Sequence, residues 1–309
     1  MITPVPGGSQ CKPVAVVGPT ATGKSELAVA VAAELGGEVI NADAMQLYRG
    51  MDIGTAKVTA EQTRGIPHHL LDVLEVTETA SVAAYQRHAR AELERLLAAG
   101  RVPVLAGGSG LYVQAVLDDL RFPGTDPEVR ARLDAEAGEL GAAALHARLA
   151  ELDPAAAIAV LPSNVRRIVR ALEVIEITGE PFSANLPEPG PPRYGTVLIG
   201  VDREVAELDR RVDLRVERMF AAGLVDEVRE LVGRGLREGK TASRALGYQQ
   251  VLAELDGDRD FAAAAAATAQ ATRRFVRRQR SWFRRDTRIR WFDGAGDGLA
   301  EQVLTYLAP

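Results

Sequence analysis

The residues Gly18 to Ser25, "GPTATGKS", have the types and the spacing that bind phosphate. They meet the pattern G-x-x-x-x-G-K-[ST] in full. The glycines let consecutive backbone N–H groups turn towards phosphate oxygens, and the helix that follows adds the positive end of its dipole. The Lys24 side chain supplies a mobile positive charge, and the Ser25 hydroxyl suits Mg²⁺. The predicted phosphate-binding residues are Gly18, Pro19, Thr20, Ala21, Thr22, Gly23, Lys24 and Ser25.

The elements around this loop predict a parallel α/β sheet. An apolar run, Val14 to Val17, precedes the loop, and a helix over 25–35 follows it. "EVINAD" predicts a second strand, 82–99 predicts a helix that ends at Gly100, and "VPVLAGGSG" predicts a third strand entering a glycine-rich turn. Strands that alternate with helices in this way favour a parallel sheet.

The pattern changes after Leu120. Residues 123–180 are Ala-rich, charged and helical in period, and the proline-rich "ANLPEPGPPRYG" reads as a linker. "TVLIGVD" predicts another strand, and residues 205–285 predict helices. The sequence therefore predicts an α/β, P-loop NTPase-like parallel sheet flanked by helices, with an all-helical insertion domain. The predicted segments are 1–121, 122–194 and 195–309.

Two side chains follow the predicted strands and could do chemistry. Asp43 ends the second strand, and ligands of open α/β sheets bind beyond the carboxyl ends of strands, so Asp43 should face the phosphate loop. A carboxylate there could accept a proton from a nucleophile, or it could cap the following turn, and position alone separates neither. Ser109, in "GGSG", could donate to a leaving oxygen, although the residues alone favour a simple turn.

Two other patterns are weaker. His68 and His69 are adjacent, and adjacent residues rarely ligate one metal ion, so a metal pair is disfavoured. Asp202 resembles a Walker B acid, but acids commonly end strands, and we favour that plainer interpretation.

Basic segments predict an anionic polymer or a multiply phosphorylated ligand. Nine arginines and one acid lie between Arg273 and Arg290, mixed with aromatic residues, although the net charge is −5. Such a mixture suits phosphate contact and base stacking. Two further helical faces are basic, and the alternative for each segment is a solvated helix. The residues on these two faces are Arg166, Arg167, Arg170, Arg211, Arg215 and Arg218.

Composition excludes several classes. The single cysteine, Cys11, excludes a disulfide framework and a cysteine-rich zinc module. No apolar run is long enough for a membrane span, and "MITPVPGGSQCKP" lacks the features of a signal peptide. We therefore expect a cytoplasmic protein without membrane contact.

Several motifs together resemble those of bacterial tRNA dimethylallyltransferases. They occur in the order of that family from about Val14 to Phe292, and the run after Asp43 is specific to it. The motifs are "GPTATGKS", "NADAMQLYRGMDIGTAK", "GIPHHLLDV", "GGSGLYV", "RRIVRALEV", "LDRRVDLRVERMFAAGLVDEV", "SRALGYQQV" and "RRQRSWFR".

The resemblance implies a reaction and roles for its residues. The phosphate loop would hold the diphosphate of dimethylallyl diphosphate with Mg²⁺, and no ATP would be spent. The dimethylallyl group would go to the exocyclic amino nitrogen of adenosine 37 in the tRNA anticodon loop. Asp43 matches the general base, and Ser109 stands where the family usually has threonine. Arg215 matches the arginine on the leaving group, with Arg211 as the other diphosphate candidate.

The resemblance also implies tRNA contacts, and we expect a monomer. Ala44 stands where the family often has serine. The residues expected to contact tRNA are Asp43, Ala44, Met45, Gln46, Ser109, Arg130, Arg166, Arg167, Arg170, Arg244, Gly247, Tyr248, Gln249 and Arg278.

Two other classes of function remain open from the residue patterns themselves. A nucleotide or small-molecule kinase would share the sheet, the loop and an arginine-bearing helical insertion. A non-catalytic RNA-binding protein could keep a vestigial phosphate loop, but the loop here is intact.

Overall fold

A parallel sheet forms the centre of the protein. The computed structural model describes residues 11–185, 190–258 and 260–308 of the chain. The described residues form six strands in the order β3-β2-β4-β1-β5-β6, and every neighbouring pair is parallel. The strands are β1 Val14–Val17, β2 Glu38–Asn41, β3 His68–His69, β4 Pro103–Gly107, β5 Val197–Asp202 and β6 Arg290–Asp293.

The register of the sheet brings the functional loops to one edge. Val17, the last residue of β1, pairs with Gly107 of β4 and with Gly200 of β5. Asn41, the last residue of β2, pairs with Ala106 of β4. The loops that follow β1, β2 and β4 therefore leave the sheet side by side, as expected at the carboxyl edge of a parallel sheet.

Helices cover both faces of this sheet. In the described residues, the helices of the same compact unit as the sheet are α1 Lys24–Glu34, α2 Val82–Ala98, α3 Gly110–Leu117, α7 Val205–Ala221, α8 Leu224–Gly233, α9 Tyr248–Asp256, α10 Phe261–Phe283 and α11 Leu299–Leu307. Three further helices, α4 Pro127–Leu152, α5 Pro154–Ala159 and α6 Val165–Thr178, form a separate unit. Alternate residues of β1 serve opposite faces, because side chains of a strand alternate. Ala15 and Val17 pack with residues of α2 and α3, whereas Val14 and Val16 pack with those of α1 and α11.

The chain divides into two compact units. One unit comprises Met1–Leu117 with Pro191–Pro309, and the other is Asp118–Gly190. The second unit contains α4, α5 and α6 and has its own apolar core, in which Leu133, Leu149, Ile168 and Leu172 are almost wholly buried. The boundaries drawn from the sequence, 122 and 194, each fall four residues later than those of this unit.

The predicted parallel sheet flanked by helices is confirmed. The sequence did not predict β3, β6 or α11. The strand β6 begins at Arg290, the last residue of the basic segment that was predicted to bind an anionic polymer or a multiply phosphorylated ligand, and its residues Arg290–Asp293 pair with β5. Residues 1–10 and 186–189, which bear on the signal-peptide and linker predictions, lie outside the described residues. None of the helices in the described part of the chain has the length and apolar character that a membrane crossing requires.

Candidate active site

The phosphate loop, Gly18 to Gly23, curls between β1 and α1 in conformations that favour glycine. Gly18 has a φ of 145°, and a Cβ there would lie 2.2 Å from the carbonyl oxygen of Val201, so no other residue fits. Gly23 has a φ of 99° and immediately precedes α1. The backbone of the loop can therefore turn its N–H groups towards a ligand at the N-terminus of α1.

Side chains from outside the loop hold its carbonyl groups. Arg211 of α7 donates from Nε to the carbonyl oxygen of Ala21 at 2.7 Å. Arg203, just after β5, donates from Nε to the carbonyl oxygen of Thr22 at 3.1 Å. Thr22 itself donates to the carbonyl oxygen of Pro19 at 3.0 Å. These bonds engage acceptors of the loop and stiffen it.

Asp43 lies in the loop after β2, and its backbone is fixed by Asn41. The Asn41 side chain accepts from the Asp43 N–H at 2.9 Å and donates to the Asp43 carbonyl oxygen at 3.0 Å. One carboxylate oxygen of Asp43, Oδ1, accepts from the N–H of Met45 at 3.0 Å. The capping role considered from the sequence is thus real, and it is compatible with a proton-accepting role for Oδ2.

Ser109 lies beside the loop that contains Asp43. The Ser109 hydroxyl oxygen accepts from the backbone N–H of Ala44 at 3.1 Å, and the Ser109 N–H donates to the carbonyl oxygen of Ala42 at 3.2 Å. Two hydrogen bonds therefore join the glycine-rich turn after β4 to the residues on either side of Asp43. Ser109 also begins the turn into α3, because its carbonyl oxygen accepts from the N–H of Tyr112 at 2.8 Å.

Lys24, Arg215 and Asp43 interact electrostatically. Burial and, to a smaller extent, the positive charge of Arg215 lower the pKa of Lys24 to about 8, whereas the Asp43 carboxylate opposes the shift. Burial also lowers the pKa of Arg215, while Asp43 acts in the opposite direction and Arg211 in the same direction. Two cations and one carboxylate therefore share a partly desolvated space, as in many functional sites.

The two arginines of α7 have different surroundings. The charge of Arg215 acts on Lys24, and Asp43 acts on Arg215, whereas Arg211, one turn earlier, is bonded to the backbone of the phosphate loop. This geometry separates a group that can meet a ligand in the crevice from one that supports the loop.

Several predicted tRNA contacts lie after Asp43 and around the start of α9. Gln46 donates from its side chain to the carbonyl oxygen of Thr55 at 3.1 Å, which holds the following loop. Arg244 and Gln249 are exposed, and Gly247 precedes α9 with a φ of 89°. The Tyr248 side chain is fully buried and its hydroxyl donates to Glu227 at 2.5 Å, while its contact with tRNA stays a prediction.

Two residues that were predicted to contact tRNA, Arg130 and Arg170, lie in the second unit. Arg130 and Arg170 both pair with the carboxylate of Glu173, at 3.1 and 2.9 Å, and the Glu173 side chain has no exposed surface. Arg170 also donates to the carbonyl oxygens of Pro123 and Gly124. These two arginines neutralise a buried acid, as buried charges require. Arg166 and Arg167, in the first turn of α6, are exposed.

The segment Arg273 to Arg290 is less free than its composition predicted. Five of its nine arginines form ion pairs with carboxylates of the same protein, and the pairs of Arg273 and Arg277 join α10 to α7. The pairs are Arg273 with Asp213, Arg277 with Asp209, Arg280 and Arg284 with Asp202, and Arg288 with Asp286. Among the described residues, Arg274, Arg278 and Arg285 form no ion pair and are exposed. Arg278 lies over the ring of Phe275 at 5.6 Å.

The alternatives for metal binding lose support. The Asp202 carboxylate is buried and engaged by Arg280 and Arg284, at 3.0 and 2.7 Å, so it does not present a Walker B acid. His69 pairs with Glu38 at 2.7 Å, and His68 contacts the carbonyl oxygen of Ile66. Within the described ranges, no group of three or more His, Cys, Asp or Glu residues has a geometry that could hold a metal ion.

The sequence analysis missed Asn41 and Arg203, which hold the loops of the crevice. Asn41 could have been found as an amide ending a buried apolar strand, since buried polar groups require partners. It is 4% exposed and serves Asp43. Arg203 carries no recognisable signal, because its contact with Thr22 joins residues 181 positions apart.

Several known proteins are similar to this chain over nearly its whole length. A family model described as IPP transferase matches residues 46–286. The tRNA dimethylallyltransferase of Saccharopolyspora erythraea is 73% identical over 300 residues, covering 97% of each chain. That of Nocardia farcinica is 61% identical over 295 residues, covering 96% of this chain and 94% of its own.

Solved structures are also similar. The crystal structure of the tRNA isopentenylpyrophosphate transferase from Bacillus halodurans has a TM-score of 0.71 and 39% identity, and the match covers 96% of this chain and 95% of that chain. A eukaryotic dimethylallyltransferase acting on tRNA has a TM-score of 0.81 at 22% identity over 95% of this chain and 77% of its own, a likeness that concerns the fold alone.

Proposed function

The chain belongs to the IPP transferase family, and we propose that it transfers a dimethylallyl group from dimethylallyl diphosphate to a tRNA. The acceptor is the exocyclic amino nitrogen of adenosine 37 in the anticodon stem-loop, and the second product is diphosphate. The observation that carries the proposal is the meeting of Lys24, Arg215 and Asp43 beside a phosphate loop. This arrangement offers cations to a leaving diphosphate and a carboxylate to an attacking amine.

The proposed step exchanges one bond for another. The amino nitrogen attacks the first carbon of the dimethylallyl group, and the bond from that carbon to oxygen breaks. The electron pair leaves on the diphosphate oxygen, and the proton of the amine passes to Asp43 Oδ2. An allylic diphosphate ionises readily once the charge on its leaving group is neutralised, so stabilisation of that charge is the main demand on the protein.

The residues of the crevice divide this work. Lys24 and Arg215 face the developing negative charge, and the backbone N–H groups of the phosphate loop bind the diphosphate oxygens. The hydroxyl of Ser109 uses a lone pair for Ala44, and its proton can be donated to the departing oxygen. Asp43 is oriented by its bonds to Asn41 and Met45, so its second oxygen is held towards the acceptor.

Mg²⁺ fits this site as a cofactor shared with the substrate. The hydroxyl of Ser25, exposed in the first turn of α1, is the protein oxygen available to it. Mg²⁺ is usually held by few protein ligands together with substrate phosphates and water, and the serine hydroxyl of a phosphate loop is one such ligand. When bound, the ion supplies further neutralisation of the leaving diphosphate.

The exposed arginines Arg166, Arg167 and Arg278 are proposed to contact the RNA backbone, as positive groups do through counterion release. The acceptor base is proposed to leave its stack, because its amino group must reach the crevice. We further propose that the enzyme acts as a monomer in the cytoplasm, where its tRNA substrate resides.

The kinase alternative is disfavoured by one contact. A P-loop kinase or NTPase uses a strand-terminal acid to organise its metal ion. The corresponding acid here, Asp202, is committed to Arg280 and Arg284.

A direct assay tests the proposal. The protein is incubated with unmodified tRNA, dimethylallyl diphosphate and Mg²⁺, and the digested nucleosides are analysed by mass spectrometry. We expect an adenosine that carries one additional dimethylallyl group, with diphosphate formed in equal amount and no requirement for ATP. Hydrolysis of ATP that tRNA stimulates, without prenylated product, would support the NTPase alternative instead.

A further inference from the structure

Gln279 of α10 connects two loops of the candidate active site. Its side-chain oxygen, Oε1, accepts from the N–H of Thr20 in the phosphate loop at 2.9 Å. Its side-chain nitrogen, Nε2, donates to the carbonyl oxygen of Gly108, the neighbour of Ser109, at 2.8 Å. One amide therefore bridges the loop that follows β1 and the loop that follows β4.

The surroundings of Gln279 leave little freedom. The side chain is 5% exposed. A Cβ at residue 108 would lie 2.4 Å from Nε2, so the glycine there permits the close approach of the amide. The two partners also set the orientation of the amide, because Thr20 offers a donor and Gly108 offers an acceptor.

A glutamine side chain can make both of these hydrogen bonds, whereas leucine and ionised glutamate cannot. Leucine has a similar volume but offers neither a donor nor an acceptor. Ionised glutamate can accept from Thr20 but would place a negative oxygen against the Gly108 carbonyl. A neutral carboxylic acid, in contrast, can accept with one oxygen and donate with the other. This difference provides a chemical signature for the role of the amide.

We infer that Gln279 is a positioning residue for prenyl transfer, which fixes the Ser109 hydroxyl relative to the diphosphate held by the phosphate loop. The inference rests on the proposed function. The hydroxyl must lie within hydrogen-bonding distance of an oxygen on the bond that breaks, and the oxygen is placed by the phosphate loop. The Gln279 amide joins the phosphate loop to the turn after β4 and so sets this distance. Without the amide, the two loops would be connected through their strands, β1 and β4.

Loss of the link should affect the chemical step more than binding. A misplacement of about 1 Å can lower a rate by about 100-fold, even when it arises outside the reacting atoms. We expect Gln279→Leu to lower the single-turnover rate by about 10–100-fold at saturating tRNA and diphosphate. The dissociation constant for tRNA should stay within about twofold of that of the wild type, because Gln279 is buried.

Gln279→Glu provides the signature. Burial and the facing carbonyl should raise the pKa of the introduced carboxyl above its ordinary value of about 4.3. Its protonated form restores both hydrogen bonds. The ratio of the variant rate to the wild-type rate should therefore rise as the pH falls from about 8.5 to about 6, by up to about tenfold per unit. The same ratio for Gln279→Leu should be flat.

Two control variants on α10 separate positioning from stability. Gln270→Leu makes the same change at an exposed position of the helix and should leave the rate unchanged. Thr272→Val removes a buried hydrogen bond, from Thr272 to the Thr268 carbonyl oxygen, that does not involve the loops. If Thr272→Val and Gln279→Leu lower the Tm by similar amounts, Thr272→Val should still keep a rate near that of the wild type.

Several results would overturn the inference while the proposed function stands. They are a Gln279→Leu rate within about threefold of an active wild type, an equal loss of rate in Thr272→Val, and a flat pH ratio for Gln279→Glu. If the wild type itself forms no prenylated nucleoside, the proposed function fails instead, so the two failures are distinguishable.

Discussion

The hydroxyl oxygen of Ser109 accepts a hydrogen bond from the backbone N–H of Ala44 at 3.1 Å. This bond joins the turn after β4 to the residue that follows the proposed base, Asp43. The proposed donor to the leaving group and the proposed acceptor of the proton are therefore linked through Ala44, although they lie on different loops.

We expect Ser109→Ala to lower the single-turnover rate by about 10–100-fold, because it removes a donor to the leaving oxygen and an acceptor for Ala44. Ser109→Thr retains the hydroxyl, so its single-turnover rate should be of at least the same order of magnitude as that of the wild type. Rapid-quench assays at saturating substrates measure both. Equal losses in the two variants would show that packing at residue 109, and not its hydroxyl, governs the rate.

Asp43→Asn separates the two roles of Asp43. An asparagine oxygen can still accept from the N–H of Met45, so the cap should persist, while the capacity to take a proton is lost. We expect the rate of prenyl transfer to fall by about 10²–10⁴-fold, with an unchanged Tm and unchanged tRNA affinity. A single-turnover rate within about threefold of the wild type would refute the role as a base.

Local patterns predicted the elements that place this site. The phosphate loop and the strands before Asp43 and Ser109 are encoded by short apolar runs, glycines and a consensus, so a window of a few residues contains the information. The two-residue strand β3 could not be predicted, because it exists through pairing of His68 and His69 with β2 and not through its own pattern.

The basic residues show the limit of composition. A run of arginines reveals charge, but the partners of those arginines lie far away in the sequence. Arg280, for example, pairs with Asp202, and Arg273 with Asp213. Whether an arginine is available to RNA is decided by such long-range pairs, which the folded structure alone reveals. The same reasoning applies to Tyr248, whose motif matched but whose side chain is buried against Glu227.

The two arginines of α7 should respond differently to substitution. Arg215→Ala should lower the single-turnover rate strongly, by about 10²-fold or more, and should leave tRNA binding and its salt dependence unchanged. Arg211→Ala should mainly raise the KM for dimethylallyl diphosphate, because it frees the Ala21 carbonyl and loosens the phosphate loop. If the large loss of rate occurs in Arg211→Ala and not in Arg215→Ala, the two roles are reversed.

The lowered pKa of Lys24 predicts a pH dependence. The free protein holds Lys24 charged below pH about 8 and neutral above it, because burial and Arg215 lower its pKa. The attraction for diphosphate is therefore lost as the pH rises, and kcat/KM for dimethylallyl diphosphate should fall above pH about 8. In Lys24→Arg, the guanidinium stays charged. A pH profile of this variant should lack the alkaline limb, whatever its absolute rate, and persistence of that limb would assign it to another group.

Arginines of the second unit should divide into those that bind RNA and those that stabilise the fold. Arg166 and Arg167 are exposed, whereas Arg170 pairs with Glu173, whose side chain is fully buried. Substitution of Arg166 and Arg167 by glutamine should weaken tRNA binding. The slope of the logarithm of the binding constant against the logarithm of the salt concentration should become flatter by about 0.9 for each lost contact. The rate at saturating tRNA should change little, since neither residue is assigned to the chemical step.

Arg170→Gln should act differently, because it leaves Glu173 with less compensation for its buried charge. We expect a loss of stability of about 1–3 kcal/mol in the second unit, seen as a lower midpoint of denaturation, since Arg130 still pairs with the same carboxylate. The double variant Arg170→Gln with Glu173→Gln should recover part of that stability, because it removes the charge that required a partner. Filter binding across a salt series, paired with denaturation curves, measures both properties in each variant. A salt slope reduced by Arg170→Gln at unchanged stability would show that Arg170 contacts the RNA directly, despite its bonds to Glu173, Pro123 and Gly124.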